Sequence, residues 1–355
     1  GQQVAEPEHD DGGNHPTWKP AIGRASFDRT TRAVVGSSVR SVRAGAQRWR
    51  SGRIGQHFFG HVRMVLTRPW HDGPMVLDVR SWLGEQVRTR VVGPDAPVRH
   101  AELFDTGEPG WFADDAPIRR VHADASMFVG GLRALLFQSL HPLAMAGVAQ
   151  HSDYRRDPWG RLQRTADFLA ATTFGPATQA QRAVDRVHRV HRHVVGVASG
   201  GEPYAANDPH LLEWVHIAEL DSFLAAHDRY GEAPLVGAER DRYVAEAAVV
   251  ARALGVVDPP ETEARLRARL DAFRPELRGT PEARAAARYL LLQPPLPMAA
   301  RAPYGLIAGA AVALMPVWTR RPLRLPWLPV SEAVALRPAG EIVTRTLRWA
   351  TTPAR

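Results

Sequence analysis

From about residue 115 the apolar positions recur every three to four residues, the spacing of helices that bury one face. This pattern predicts helices near 119–150, 158–173, 177–195, 209–229, 238–254, 260–273, 281–292, 303–315 and 331–350. Asp157–Pro158, Asp208–Pro209 and Thr280–Pro281 mark three starts, the first residue accepting an amide hydrogen bond and the proline occupying the first helical position. Gly175, Gly196, Gly231 and Gly255 stand where helices should stop. Residues 1–20 are polar and aperiodic and read as a disordered tail. Residues 21–115 read as a helical or irregular N-terminal extension, in which FFGHVRMVLTRPW (58–70) suits strand or helix. Residues 116–350 form the helical domain, and no long linker divides the chain after about residue 50. Without βαβ alternation, a phosphate loop or a repeat, the fold class is all-α, one large helical domain with flanking helices.

PYGLIAGAAVALMPVW (303–318) is the most apolar stretch, yet Pro316 interrupts it short of the ~18–20 residues that span a bilayer. It reads as a buried core helix, or as an interfacial segment whose flanking arginines meet lipid headgroups. The chain shows no secretory leader, so the expectation is a cytoplasmic protein, with peripheral membrane contact as the alternative.

Composition then removes several chemistries. With no cysteine there is no disulfide framework, thiolate ligand, iron–sulfur cluster or cysteine nucleophile. The net charge of +8 comes from 44 arginines and the single lysine Lys19, interspersed with acids along most of the chain. That distribution lacks a phosphate-tracking stripe and argues against nucleic acid as partner.

Candidate chemistry concentrates in RVHRVHRHVVG (186–196). On a wheel of about 100° per residue, Val187, Val190 and Val194 share one sector with His191. His188 lies at its edge and His193 points away, so the three imidazoles do not converge on one ion. An inward histidine is either a hydrogen-bonded core residue or an axial ligand to haem iron, which needs a neutral imidazole in an apolar slot. Upstream, Arg161, Arg164 and Thr165 share a helix face with Phe168 and Thr172. They form either a solvated arginine face or a pocket wall whose guanidinium groups pair with carboxylates such as haem propionates.

Other features weigh less. Pro142 should bend the first long helix, with His141 satisfying a freed carbonyl or lining the pocket, and Gly130–Gly131 suggest close helix packing or approach to a flat macrocycle. Glu213-Trp214-Val215-His216 has the spacing of di-iron carboxylate bundles but no second copy. No Gly-x-Ser-x-Gly elbow supports a serine hydrolase. Asp124 and Glu246 are isolated acids with no partner legible in the sequence.

Taken together, GGLRALLFQSLHPLAMAGVAQHS (130–152), DPWGRLQRT (157–165), TTFG (172–175), RVHRVHRHVVG (186–196) and YAANDPHLLEWVH (204–216) resemble the rubber-oxygenase type of catalytic domain. That family includes latex-clearing proteins, the membrane-bound oxygenase of mycophenolic acid biosynthesis and many bacterial proteins, which these motifs resemble most. The resemblance covers roughly 115–330. It implies a globin-like helical core, a b-type haem held by one histidine, and oxidative cleavage of an isoprenoid double bond by dioxygen. Carried over by motif, His191 is the proximal ligand and Arg161, Arg164 and Thr165 lie on the distal side, Arg161 and Arg164 as cofactor contacts and Arg164 and Thr165 as catalytic groups. The family pattern has lysine where this chain has Arg164, and that lysine can take the sixth iron position. An arginine stays protonated and ligates iron poorly, so the distal site is expected to be open or water-bound, or to use Arg164 as an electrostatic donor. The implied partners are dioxygen and a small apolar, unsaturated substrate, isoprenoid- or lipid-like. The alternative is a non-catalytic haem or lipid carrier on the same helices.

Overall fold

The computed structural model describes residues 80, 84, 85, 89 and 107–352. The expectations for residues 1–20 and for 58–70 lie outside the described residues. The order is α1 (Pro117–Ala123), α2 (Met127–Gln138), α3 (Pro142–His151), α4 (Pro158–Phe174), α5 (Ala177–His191), β1 (Val195–Val197), β2 (Pro203–Ala205), α6 (Pro209–Tyr230), α7 (Ala238–Leu254) and α8 (Glu263–Phe273). A 3₁₀ turn (Arg274–Glu276), α9 (Pro281–Leu292), α10 (Met298–Leu314) and α11 (Val317–Leu323) follow. The chain closes with α12 (Pro329–Ser331), a π turn (Glu332–Leu336) and α13 (Arg337–Thr351). The fold is all-α, as expected.

The three caps form as read. Asp157 accepts from the Gly160 amide, Asp208 from His210 and Thr280 from Ala283. The expected helix 119–150 is instead three helices. Asp124 turns the chain after α1, and Pro142 begins α3 rather than bending a continuous helix, because His141 takes an extended backbone ahead of it. Gly175, Gly231 and Gly255 end α4, α6 and α7, Gly255 in the left-handed region. Gly196 does not stop a helix. The chain leaves α5 at Arg192, and Val195–Val197 pairs antiparallel with Pro203–Ala205, Gly196 opposite Tyr204. β-branched residues around the tight Gly200–Gly201 turn favour that hairpin over another helical turn.

The centre of the core is α6, buried on nearly every side through Leu211, Trp214, Ile217, Ala218, Phe223 and Ala226. It packs on α2 where Gly130 lets the helices approach: a Cβ there would stand 3.1 Å from Phe223 and 3.2 Å from Ala226. Gly130 thus serves helix packing. α10 lies across α2, and its second half is core, with Ala308, Ala310, Ala311, Val312 and Ala313 buried. Among the described residues no single helix is long and apolar enough to cross a membrane, and α10 and α11 are bent by 118°.

Candidate active site

α4 and α5 are consecutive helices joined through Gly175–Pro176 and packed on one another. Arg161 and His191 each stand about fourteen or fifteen residues from that joint, roughly 20 Å along their helices. They therefore occupy the end of the pair away from the turn.

The inward stripe of α5 runs Ala180, Ala183, Val184, Val187 and His191, the first three buried and the last two half-buried. His191 faces inward as expected, but Val190 is 56 % exposed and does not. The stripe is centred one step further round than the valines suggested, because helix ends at His191 and Val194 already belongs to the hairpin. That hairpin returns the chain beside the ring, Ala206 donating its amide to the Val194 carbonyl at 2.9 Å. Burial pushes the His191 imidazole below its usual range and the charge of His188 adds to this, while the Ala206 backbone works in the opposite direction. The ring is therefore neutral near pH 7. His188 is committed elsewhere, its Nε2 3.0 Å from the Ala253 carbonyl, and His193 is exposed.

On α4, Arg161 is half-buried and donates to the Ser152 hydroxyl at 2.7 Å. Among the described residues it makes no ion pair. Burial and then repulsion from Arg164 lower its proton affinity, partly opposed by Tyr154. Arg164 is 67 % exposed and pairs with Asp157 at 3.3 Å. Thr165 is exposed and donates to the Arg161 carbonyl at 3.0 Å. The structure brings these three into one turn of α4, with only Arg161 turned toward the protein. No hydrogen bond or ion pair joins them to His191 among the described residues.

A polar layer that the sequence did not reveal lies behind the other end of α4. The Thr173 hydroxyl is 2.8 Å from His122 Nδ1, and the Tyr243 hydroxyl is 3.4 Å from Nε2. Burial lowers His122 to about 3 and His216, on α6, to about 4; it raises Glu219 to about 7 against a hydrogen bond from Gln138. Nothing local signals this set, since its members come from α1, α4, α6 and α7. The histidines contribute stability that is present above pH 6.5 and falls away on acidification, each by about 2 kcal/mol at pH 5. Glu219, neutral in the folded state, contributes below pH 4.5 and loses that contribution as pH rises through 7. One histidine is thus offset, and these three groups together contribute a loss of about 2 kcal/mol from pH 7 to 5. Glu219→Gln should steepen the acid loss of the whole protein by about 2 kcal/mol, read from denaturant midpoints at the two pH values. Equal slopes for the two proteins would contradict these assignments.

The di-iron reading fails on geometry. Both oxygens of the buried Glu213 accept from Arg269, so the carboxylate of this Glu-x-x-His pair is not free to share an ion with His216. Asp124 and Glu246 are not isolated: Arg348 holds Asp124 at 2.9 Å, and Glu246 accepts from Arg242 and from the Ile118 amide that opens α1.

The model of the family described as ER-bound oxygenase mpaB/B'/rubber oxygenase, catalytic domain, matches residues 119–350. The chain belongs to this family. The match runs from α1 through most of α13 and so includes both α4 and α5. This family member is therefore placed among oxygenases, with the small-molecule substrate and dioxygen that oxygenase chemistry uses. No protein of curated function and no solved structure matches the chain.

Proposed function

We propose that this family member is a haem b-dependent oxygenase acting on a small apolar, unsaturated substrate, isoprenoid- or lipid-like. The observation that carries the reading is the half-buried, neutral His191 at the open end of α5, beside an α4 that carries a half-buried guanidinium without an acid partner among the described residues. The donor chemistry fits a non-covalent haem. A neutral imidazole offers a lone pair to iron, Arg161 offers a cation to a propionate, and the absence of cysteine leaves no thiolate or thioether attachment. Bound there, the group supplies the redox chemistry of dioxygen. The chain's own residues orient and shield it: Val187, one turn earlier, shares the half-buried face of His191, and burial favours the unprotonated imidazole.

Arg164 and Thr165 act on the distal side in this proposal only after giving up Asp157 and the Arg161 carbonyl. Because both already have partners and face solvent, a second reading is supported: a haem or lipid carrier with no turnover. The purified chain should be titrated with hemin, and oxygen uptake followed with short unsaturated isoprenoids. A Soret band with uptake is the expected result. A Soret band without uptake favours the carrier, and no Soret band removes both haem readings.

A further inference from the structure

Outside α4 and α5, three side chains converge on one point. His141 caps the start of α3, His210 is the second residue of α6, and Glu276 ends the 3₁₀ turn after α8. His210 Nε2 stands 2.8 and 3.0 Å from the two Glu276 oxygens, and His141 Nε2 stands 3.2 Å from one of them. One donor atom from each lies within 4.8 Å of the others. We propose that His141, His210 and Glu276 form a binding site for a divalent first-row transition ion of the zinc type.

Three observations carry this. The first is the donor set: two imidazoles and a carboxylate suit zinc, iron, nickel or copper, and the observed separations approach those between neighbouring ligands at bonds of about 2.0–2.2 Å. The second is the company Glu276 keeps. In this arginine-rich chain the acids Glu213, Asp124, Glu332 and Asp221 are held by Arg269, Arg348, Arg320 and Arg133. The nearby Arg278 and Arg274 pair instead with Glu202 and Asp271, leaving Glu276 to the two imidazoles. The third is burial: the His141 side chain is 3 % exposed and turns its Nε2 edge to Glu276, while its Nδ1 has no hydrogen-bond partner.

The surroundings support the rings as ligands. Phe273 stacks on His210 at 4.4 Å, Trp214 lies against His141, and the Arg278 amide bonds the Leu140 carbonyl at 2.8 Å. These contacts fix both imidazoles without using the edges that face Glu276. His210 and Glu276 are open to solvent on one side, so an ion could enter and keep water in its remaining positions. An ion there would tie together the α2–α3 corner, the start of α6 and the end of α8.

The test uses the full chain with Co²⁺ alone and Zn²⁺ alone. Expected are visible ligand-field bands on Co²⁺ addition, displaced by Zn²⁺, and a Zn²⁺-dependent rise in melting temperature. His210→Ala and Glu276→Gln, both at half-exposed side chains, should weaken Co²⁺ binding at least about 100-fold, while His193→Ala should not. The absence of Co²⁺ bands in the parent chain would reduce the cluster to a hydrogen-bonded triad. Equal binding in all variants would place the ion elsewhere, and either outcome overturns the proposal. This result is separable from the haem reading, because His210→Ala should retain any Soret band and His191→Ala should retain the Co²⁺ bands.

Discussion

His191→Ala is expected to lose at least about 100-fold in hemin affinity, with its Soret band collapsing to that of loosely associated hemin. The reason is the scarcity of alternatives. His188 is spent on the Ala253 carbonyl, His141 on Glu276, and His151 on the Val195 carbonyl and Tyr204. No thiol exists to replace the imidazole. The side chain is only half-buried at the last turn of α5, so its truncation should cost about 1 kcal/mol of stability and leave the fold intact. Loss of the spectrum can therefore be separated from unfolding by circular dichroism, and added imidazole should restore it. An unchanged Soret band in the variant would move the ligand to another residue. Arg161→Ala should weaken binding while keeping the band, since a propionate contact adds affinity without ligating iron.

Arg320→Ala should cost about 3–5 kcal/mol, the largest stability effect expected here. The pair Arg320–Glu332 is almost fully enclosed, with side chains 4 % and 6 % exposed. The guanidinium also donates to the Met315 carbonyl at 3.2 Å and to the Ala313 carbonyl at 3.4 Å, closing the C-terminal end of α10. Glu332 in turn accepts from the Leu328 amide and opens the π turn. Truncation would leave a buried carboxylate and several carbonyls without partners, at the bend between α10 and α11 and at the entry to α13. Replacing both residues with apolar ones, Arg320→Met with Glu332→Leu, should recover much of the loss, because no charge then remains buried. Urea unfolding of the single and double variants measures this. A double variant as unstable as the single one would show that the carbonyl contacts matter more than the charge.

Local chemistry was readable from local sequence. The caps at Asp157, Asp208 and Thr280 involve groups two or three residues away, so spacing alone reveals them. The inward direction of His191 follows from helical period, as does the clustering of Arg161, Arg164 and Thr165 on one turn of α4. What spacing could not supply was burial. Arg161 and Arg164 look equivalent in sequence, yet only Arg161 meets Ser152 while Arg164 reaches back to Asp157 in solvent. By helical period Val190 is as inward as Val187, but the end of α5 and the hairpin after it set the true centre of the buried face.

The sequence by itself determined a helical class, most helix starts, an inward imidazole on α5 and, through five ordered motifs, the resemblance that the family match bears out. Tertiary structure alone decided which charges meet. Asp124 finds Arg348 across 224 residues, and His141 finds Glu276 across 135. Periodicity reports how each helix turns about its own axis, whereas these meetings depend on how helices cross. Those crossings are set by side-chain packing such as Gly130 against Phe223 and Ala226, which no single segment encodes.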